Sequence, residues 1–294
     1  MRGLFSRSMS VVEAIAWGES ILDQSQERAG RSHADATLLL RHVLDIPQSK
    51  IYTYRERPLT ALQTEKFNVL IQERLKGKPI QYITGKQEFW GLPFLVTPDV
   101  LIPRPETEHL VEAAIQRLQA HPAPRIVDVG TGSGAIAVAL AHALPQAHIT
   151  ATDISEAALA VAQKNATQNG VAERIRWMQC DLLADVMQEK FDAVVSNPPY
   201  IADAERTTLA AEVRDHEPST ALFAGPTGLE VYERLIPQAA QVLAPGGWLW
   251  MEIGYQQQPA IERMLSDWQQ VAFIKDLQGI ARVACAQPPH TPQI

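Results

Sequence analysis

An α/β fold, with a mostly parallel sheet covered on both faces by helices and a smaller helical region ahead of it, is what this 294-residue sequence predicts. From Arg125 onward, short β-branched runs alternate with helical stretches, the mark of a parallel sheet. A glycine-rich loop, Gly130-Thr-Gly-Ser-Gly134, directly follows the first of those runs and opens a helix. Residues 10–80, by contrast, carry only helical periodicity.

Composition narrows the class. Apolar residues make up 46% of the chain and charged ones 20%, which is globular rather than disordered. The two cysteines, Cys180 and Cys285, fall in separate expected strands, so buried thiols are expected rather than a disulfide framework, and no ligand spacing suggests a metal. Glu13 and Glu19 break the N-terminal apolar stretch, and the longest apolar run, near 135–144, is too short to cross a bilayer. A cytoplasmic protein without membrane contact is the expectation. The net charge of −7 divides into +3 over residues 1–104 and −10 over the remainder. So anionic a main domain argues against stable, sequence-independent nucleic-acid binding, which needs cations to neutralise phosphates.

In chain order, Ser10 can cap a helix over 11–23 with Val12, Ile15, Ala16, Ile21 and Leu22 as its apolar stripe. Ser32 can cap a second helix over 33–44. Thr60 and Gln63 form a possible capping box for a third, which carries Leu62, Phe67, Leu70, Ile71 and Leu75 and ends at Gly77. This region, 1–85, reads as a helical bundle that either is structural or docks a substrate. Residues 86–104 are punctuated by Gly and Pro and read as a β-hairpin linker, with strands at 87–90 and 94–97 around a turn at 91–93. A helix from Pro105 to Leu118 opens the main domain, 105–287. Its strands are expected at 125–129, 148–152, 175–179, 193–196 and 248–253, with a closing antiparallel pair at 273–276 and 282–286 around Gly279. Residues 288–294, with three prolines, read as a flexible tail.

The chemistry gathers at strand ends. Glycines in the 130–134 loop let backbone N–H groups approach a ligand closely. Asp153 ends the second strand, where a carboxylate can accept from both hydroxyls of a ribose, and Asp181 follows the third within reach of an adenine amino group. Together these favour an adenosine pocket. At the end of the fourth strand stands Asn197-Pro198-Pro199-Tyr200. The prolines cannot donate to a ladder, and Pro198 biases Asn197 towards an extended backbone. Asn197 and the Pro198 carbonyl are thereby held as rigid acceptors beside an aromatic ring, a device for holding a planar NH2 group. The first and fourth strands flank the switch point of such a sheet, so Asn197 faces the glycine loop across the ligand crevice. A dinucleotide dehydrogenase is a competitor, but its loop has a different glycine spacing and it has no need of an amide clamp there. Arg104, between two prolines, reads as either a fixed cation for a ligand or half of a surface ion pair.

These residues resemble a known group. Asn197-Pro-Pro-Tyr200 with Gly130-Thr-Gly-Ser-Gly134 looks like the Rossmann-like, S-adenosylmethionine-dependent amino-methyltransferases. Within them, Gly85-Lys-Gln-Glu-Phe-Trp-Gly91, Val100–Glu108, Asp128–Ala137, Glu217-Pro218, Pro245-Gly-Gly247 and Glu252-Ile-Gly254 are similar to the release-factor glutamine methyltransferase family. The resemblance implies a seven-stranded S-adenosylmethionine-dependent methyltransferase domain behind a helical N-terminal domain and a hairpin. It implies N5-methylation of the glutamine in the Gly-Gly-Gln motif of class-I peptide-chain release factors. Carried over, Gly130, Thr131, Gly132, Ser133, Gly134, Asp153, Asp181, Leu182 and Asn197 contact the cofactor. Asn197, Pro198, Pro199 and Tyr200 hold the substrate glutamine, with Arg104 as a further substrate contact, and Asn197, Pro198 and Tyr200 carry the catalysis. The position of Leu182 is often aromatic in that family. Two other readings stay open: an adenine-N6 or other nucleic-acid amine methyltransferase, for which the same clamp serves, and a non-catalytic scaffold that keeps the fold.

Overall fold

The structure, a computed structural model, describes residues 8–24 and 30–289, so most of the expected tail lies outside the described residues. The chain runs through α1 (Val11–Leu22), α2 (Ser32–Leu44), α3 (Gln48–Thr53), α4 (Ala61–Leu75) and α5 (Ile80–Thr84) into strands β1 (Lys86–Phe89) and β2 (Leu92–Leu95). After a 3-10 turn at Pro105–Thr107 come α6 (Glu108–Leu118), β3 (Arg125–Val129), α7 (Ala135–Ala143), β4 (His148–Asp153), α8 (Glu156–Gln168), β5 (Ile175–Gln179) and β6 (Phe191–Ser196). Short pieces follow, β7 (Ile201–Ala202), α9 (Ala211–Arg214), α10 (Ser219–Leu222) and β8 (Phe223–Gly225). The chain closes with α11 (Glu230–Val242), β9 (Leu243–Glu252), α12 (Gln258–Met264), β10 (Gln269–Lys275) and β11 (Ala281–Gln287). These elements form two compact units, Met1–Gly85 with Ala211–His216, and Lys86–Ala210 with Glu217–Ile294.

In the helical unit Ser10 caps α1 as expected and also closes an unexpected capping box with Glu13, and the expected box of Thr60 with Gln63 forms. Four expectations change. The inward residues of α1 are Val11, Ala14, Gly18 and Leu22; of the expected stripe only Leu22 is among them, because Gly18 lets α1 come close to α4. A Cβ at Gly18 would stand 2.9 Å from the ring of Phe67. Ser32 is the first buried residue of α2 instead of its cap, and Leu62 is exposed. The segment Ala211–His216, read from the sequence as continuous with the sheet domain, belongs here through one buried cation. Arg74, 4% exposed, donates from Nε to Asp35 at 2.7 Å and from Nη1 to Glu212 at 2.9 Å. An arginine so deeply buried needs both carboxylates, since an unpaired interior charge is strongly destabilising.

The second unit is built on a seven-stranded sheet in the order β10-β11-β9-β6-β3-β4-β5. Five strands are parallel, and β11 runs antiparallel to both of its neighbours. Alternation along each strand divides the core. Ile126, Ala193 and Val195 pack against α6, α7 and α8 on one face, while Val127, Val129 and Val194 face α11 on the other. Strand β9 begins earlier than expected because Leu243 pairs with Phe191 across an irregularity at Pro245-Gly-Gly247. The hairpin turn is also tighter than expected. Trp90 and Gly91 both take positive φ, 55° and 68°, which makes a two-residue turn of the type that matches strand twist, so Leu92 and Pro93 join the ladder.

One side chain fastens this hairpin to α8 and to the glycine loop. Asn165, fully buried in α8, accepts from the Leu95 N–H at 2.7 Å and donates to the carbonyls of Leu95 at 3.0 Å and Ser133 at 2.8 Å. It so joins the hairpin, the helix and the glycine loop. Asn165→Ala leaves an N–H and two carbonyls to find other partners in the interior, each worth about 1–3 kcal/mol when orphaned. A loss of roughly 3 kcal/mol or more in urea unfolding is expected, with the hairpin amides first to lose exchange protection.

Candidate active site

Strand order brings the site together. Because β4 and β5 lie to one side of β3 and β6 to the other, the connections diverge between β3 and β6 and open a crevice at their carboxyl ends. In register, Val129 pairs with Ser196, and the Ser196 hydroxyl donates to the Val129 carbonyl at 2.8 Å. The next residues are Gly130 and Asn197. The glycine loop and the Asn-Pro-Pro-Tyr segment therefore start side by side, as the sequence reading requires.

The glycine loop differs in one respect from that reading. Four of its five N–H groups are engaged within the protein instead of being turned towards a ligand. Gly130 and Thr131 donate to the Thr152 carbonyl at 2.9 Å, Gly132 to Asp153 Oδ2 at 2.8 Å and Gly134 to the Thr131 carbonyl at 2.8 Å. The glycines serve shape instead. Gly130 and Gly132 hold φ of 70° and 55°, and a Cβ on either would meet nothing within 4 Å, which leaves open space above the loop. Beneath it lies Asp128, completely buried. One of its oxygens accepts from Thr131 Oγ1 at 2.6 Å and from the Ala137 N–H at 3.1 Å; Oδ1 has no hydrogen-bond partner. Burial pushes this carboxyl up to about 7.

A cavity of about 340 Å³ spans the crevice, a size suited to a small organic ligand. Its walls bring together Gly130, Thr131, Gly132, Ser133, Asp153, Asp181, Leu182, Asn197, Pro199 and Arg104; Gly134, Pro198 and Tyr200 do not line it. Each Asp153 oxygen accepts one backbone N–H, Oδ1 from Ser155 at 2.9 Å and Oδ2 from Gly132, and keeps a further lone pair for a diol. Burial raises the pKa of Asp153. Leu182 sits at φ 54°, rare for a branched side chain, with its carbonyl held by the Thr152 hydroxyl at 2.9 Å. Asp181 accepts from Arg234 Nη2 at 2.5 Å at the half-exposed rim.

At the other end, the Asn197 amide donates from Nδ2 to Thr107 Oγ1 at 3.0 Å, which leaves Oδ1 as its acceptor for a ligand. The Thr107 hydroxyl donates in turn to Glu252 Oε2, and Tyr200 donates to Glu252 Oε1 at 3.2 Å. Tyr200 thus turns its hydroxyl into the core, where burial and then the Glu252 charge raise its pKa. Arg104 is not a free cation: its guanidinium is bound to Glu217, whose side chain is 1% exposed and which also accepts from the Ile102 N–H at 3.2 Å. Thr107, Glu217 and Glu252 lie in stretches that carry the resemblance, but nothing in the sequence assigns them a place in the site, for their partners stand 52 to 145 residues away in the chain.

Relatives decide the family. The release factor glutamine methyltransferase of Chlorobaculum tepidum is 42% identical over 283 residues, 93% of this chain and 95% of that protein. That of Moorella thermoacetica is 45% identical over 247 residues, 84% of this chain and 87% of its own length. The chain belongs to the release factor glutamine methyltransferase family. Residues 13–85 match the family described as PrmC N-terminal domain, and residues 109–216 match the Methyltransferase small domain. Among solved structures, the hMettl16 catalytic domain in complex with MAT2A 3'UTR hairpin 6 superposes with a TM-score of 0.55 over 81% of this chain and 86% of that one. At 19% identity it shows the shared Rossmann-like fold alone.

The two loop glycines separate shape from stability. Gly132→Ala and Gly134→Ala both incur the left-handed cost of about 1–2 kcal/mol. Only at Gly134 does the new methyl also meet a neighbour, with Ala162 Cβ at 3.0 Å and its Cα at 3.2 Å. Denaturant unfolding should therefore show Gly134→Ala to be the more destabilising of the two, because Gly132→Ala extends into the open cavity.

Proposed function

We propose that this chain transfers the methyl group of S-adenosylmethionine to the side-chain amide nitrogen, N5, of the glutamine in the Gly-Gly-Gln motif of class-I peptide-chain release factors. Family membership supports the reaction, and the observation that carries the chemistry is the Asn197 amide, held by Thr107 with Oδ1 left to accept, at the wall of the same cavity as the glycine loop. In this reading the helical residues 1–85 dock the release factor, 86–104 form the hairpin linker, 105–287 carry the catalysis, and the enzyme works in the cytoplasm. Two unlinked buried thiols, Cys180 and Cys285, suit a reducing compartment.

The residues fit the cofactor. Asp153 has acceptor capacity for both ribose hydroxyls, the open space over Gly130 and Gly132 admits the bulk of the ligand, and Asp181 and Leu182 stand where the base would lie. The cofactor supplies an electrophilic methyl on a sulfonium. What the protein must supply is a nucleophile, for an amide nitrogen shares its lone pair with the carbonyl and ~18–20 kcal/mol of resonance opposes its release. Asn197 Oδ1, on the cavity wall, accepts one N–H of the glutamine and turns its nitrogen towards the methyl. The Pro198 carbonyl is the acceptor for the other, although Pro198 itself is not part of that wall. They also favour the positive charge that grows on it, before the surplus proton leaves to solvent. Positioning of this kind can contribute roughly 7–11 kcal/mol. Arg104, tied to Glu217, serves chiefly to shape the cavity wall beside the substrate.

Two substitutions separate the halves of the site. Asn197→Ala removes a bond to a developing cation worth about 1.5–3 kcal/mol, hence a roughly 10- to 100-fold lower rate with cofactor affinity intact. Asp153→Ala should act mainly on cofactor affinity, read by calorimetry. The deciding experiment supplies labelled methyl donor to a release factor with and without its Gly-Gly-Gln glutamine, beside DNA and ribosomal RNA. Label that depends on the glutamine supports the proposal; label in nucleic acid alone overturns it.

A further inference from the structure

Behind the clamp lies a chain of hydrogen bonds whose direction is dictated at one end. Glu252, the last residue of β9, is 3% exposed, and its carboxylate takes the hydroxyls of Thr107 on Oε2 and Tyr200 on Oε1. Thr107, also 3% exposed, ends the turn before α6 and receives the Asn197 amide on the same hydroxyl oxygen. A hydroxyl has one proton, and an ionised carboxylate can only accept. The Thr107 proton must therefore point to Glu252, so that only a lone pair faces Asn197. Of its two ends, the Asn197 amide can offer Thr107 only the NH2. The oxygen is then the end available in the cavity.

We propose that Glu252, acting through Thr107, is a positioning residue that sets which end of the Asn197 amide meets the substrate and anchors Tyr200 in the same step. The inference rests on the function proposed above. Direction is what matters here, because a glutamine NH2 offers two donors and a flipped Asn197 would oppose one of them with its own. Were Glu252 to take up a proton, it could donate to Thr107, and the Thr107 hydroxyl could then donate to the Asn197 oxygen and reverse the amide. The groups around Glu252 are Tyr200, Tyr232, Glu106 and Arg282. Glu106 opposes the ionised form and Arg282 favours it, while Tyr232 donates to the Glu252 backbone carbonyl at 2.9 Å. Burial dominates and pushes the carboxyl up to about 7. The clamp should accordingly lose its direction on the acid side of neutrality.

The full-length chain tests this by two routes. In single-turnover methylation of a release factor at saturating methyl donor, Thr107→Val should lower the rate about tenfold or more without changing cofactor affinity. Thr107→Ser, which restores the hydroxyl, should recover most of that loss. The rate of the native chain should fall below pH 7, and Glu252→Gln should abolish that acid limb. Equal loss in the Ser and Val variants would overturn the proposal, as would an acid limb that persists in Glu252→Gln. The second route needs no substrate: the side-chain NH2 resonances of Asn197 in the isotope-labelled native chain should titrate near pH 7 and cease to do so in Glu252→Gln. Asn197 resonances that stay constant across that range refute the relay even where the variants fold poorly. A titrating Asn197 without methylation of any release factor would instead place the fault in the assigned substrate.

Discussion

Everything at the site depends on the parallel pairing of β3 with β6 at the middle of the sheet. Both strands are buried on both faces, by Ile126, Val127, Val129, Ala193, Val194 and Val195, so their register is held by packing from two sides as well as by the ladder. A slip of one residue would exchange the faces on which Val194 and Val195 sit and drive each into the wrong core. The same register places the residues after Val129 and Ser196 next to one another. Thus a stability requirement, filling two apolar layers, delivers the juxtaposition of glycine loop and amide clamp as a geometric consequence.

The backbone of this arrangement was legible in the sequence, and most of its polar wiring was not. Strands β3 and β5 fall where their apolar runs end, and the capping boxes at Ser10 and Thr60 form because both partners lie within one turn. The cap at Ser10 and the box at Thr60 are local signals, though the sequence reading does not include the Glu13 half of the first box. The phase of α1 was misread because its contact face is set by Gly18, whose usefulness lies in Phe67 across the bundle. Arg74 with Glu212, Arg104 with Glu217 and Thr107 with Glu252 join residues more than a hundred positions apart, and nothing in the neighbourhood of either partner announces the other. Arg104 was therefore read with its ligand role open, while the fold had already supplied its counter-charge. Of the loop glycines, Gly130 and Gly132 sit at the cavity, but the spacing alone does not tell which way their N–H groups face. Their role is the room they leave, since Gly130, Gly132 and Gly134 direct their N–H groups into the protein.

Two buried carboxyls, Asp128 and Glu252, lie below and behind the reacting face, both pushed up to about 7. For an acid whose folded pKa lies above its unfolded value, the folded state binds the extra proton between the two values. The associated stability is full below the unfolded pKa and is lost as pH rises through the folded one. At neutral pH the fold thus carries some of the cost of ionising both groups in its interior. For Glu252 that cost has a return in function, because only the ionised form accepts from Thr107 and Tyr200 together. Asp128 holds the turn through Thr131 and Ala137 with a single oxygen, and its ionisation gives that oxygen the stronger hold on both donors.

The same logic explains why so much of the sheet unit converges on four residues. Prolines 198 and 199 bring stiffness to the clamp and, by the same chemistry, remove two N–H groups with which a chain leaving β6 could have been bonded to its surroundings. The segment must be held by side chains and carbonyls instead. Gln257 does so from one side, donating to the Tyr200 carbonyl at 2.9 Å and to that of Gly228 at 3.2 Å, with its own oxygen fixed by the Gly254 N–H. Gly228 is required there because a Cβ on it would lie 2.6 Å from the Tyr200 oxygen. Thr107 and Glu252 do so from the other side, through Asn197 and the Tyr200 hydroxyl. Rigid acceptors at a strand end are thus not a property of Asn-Pro-Pro-Tyr alone. The tetrapeptide cannot hold itself, and it becomes a clamp only where β9, the turn before α6 and the residues opening α12 supply the bonds its prolines forgo.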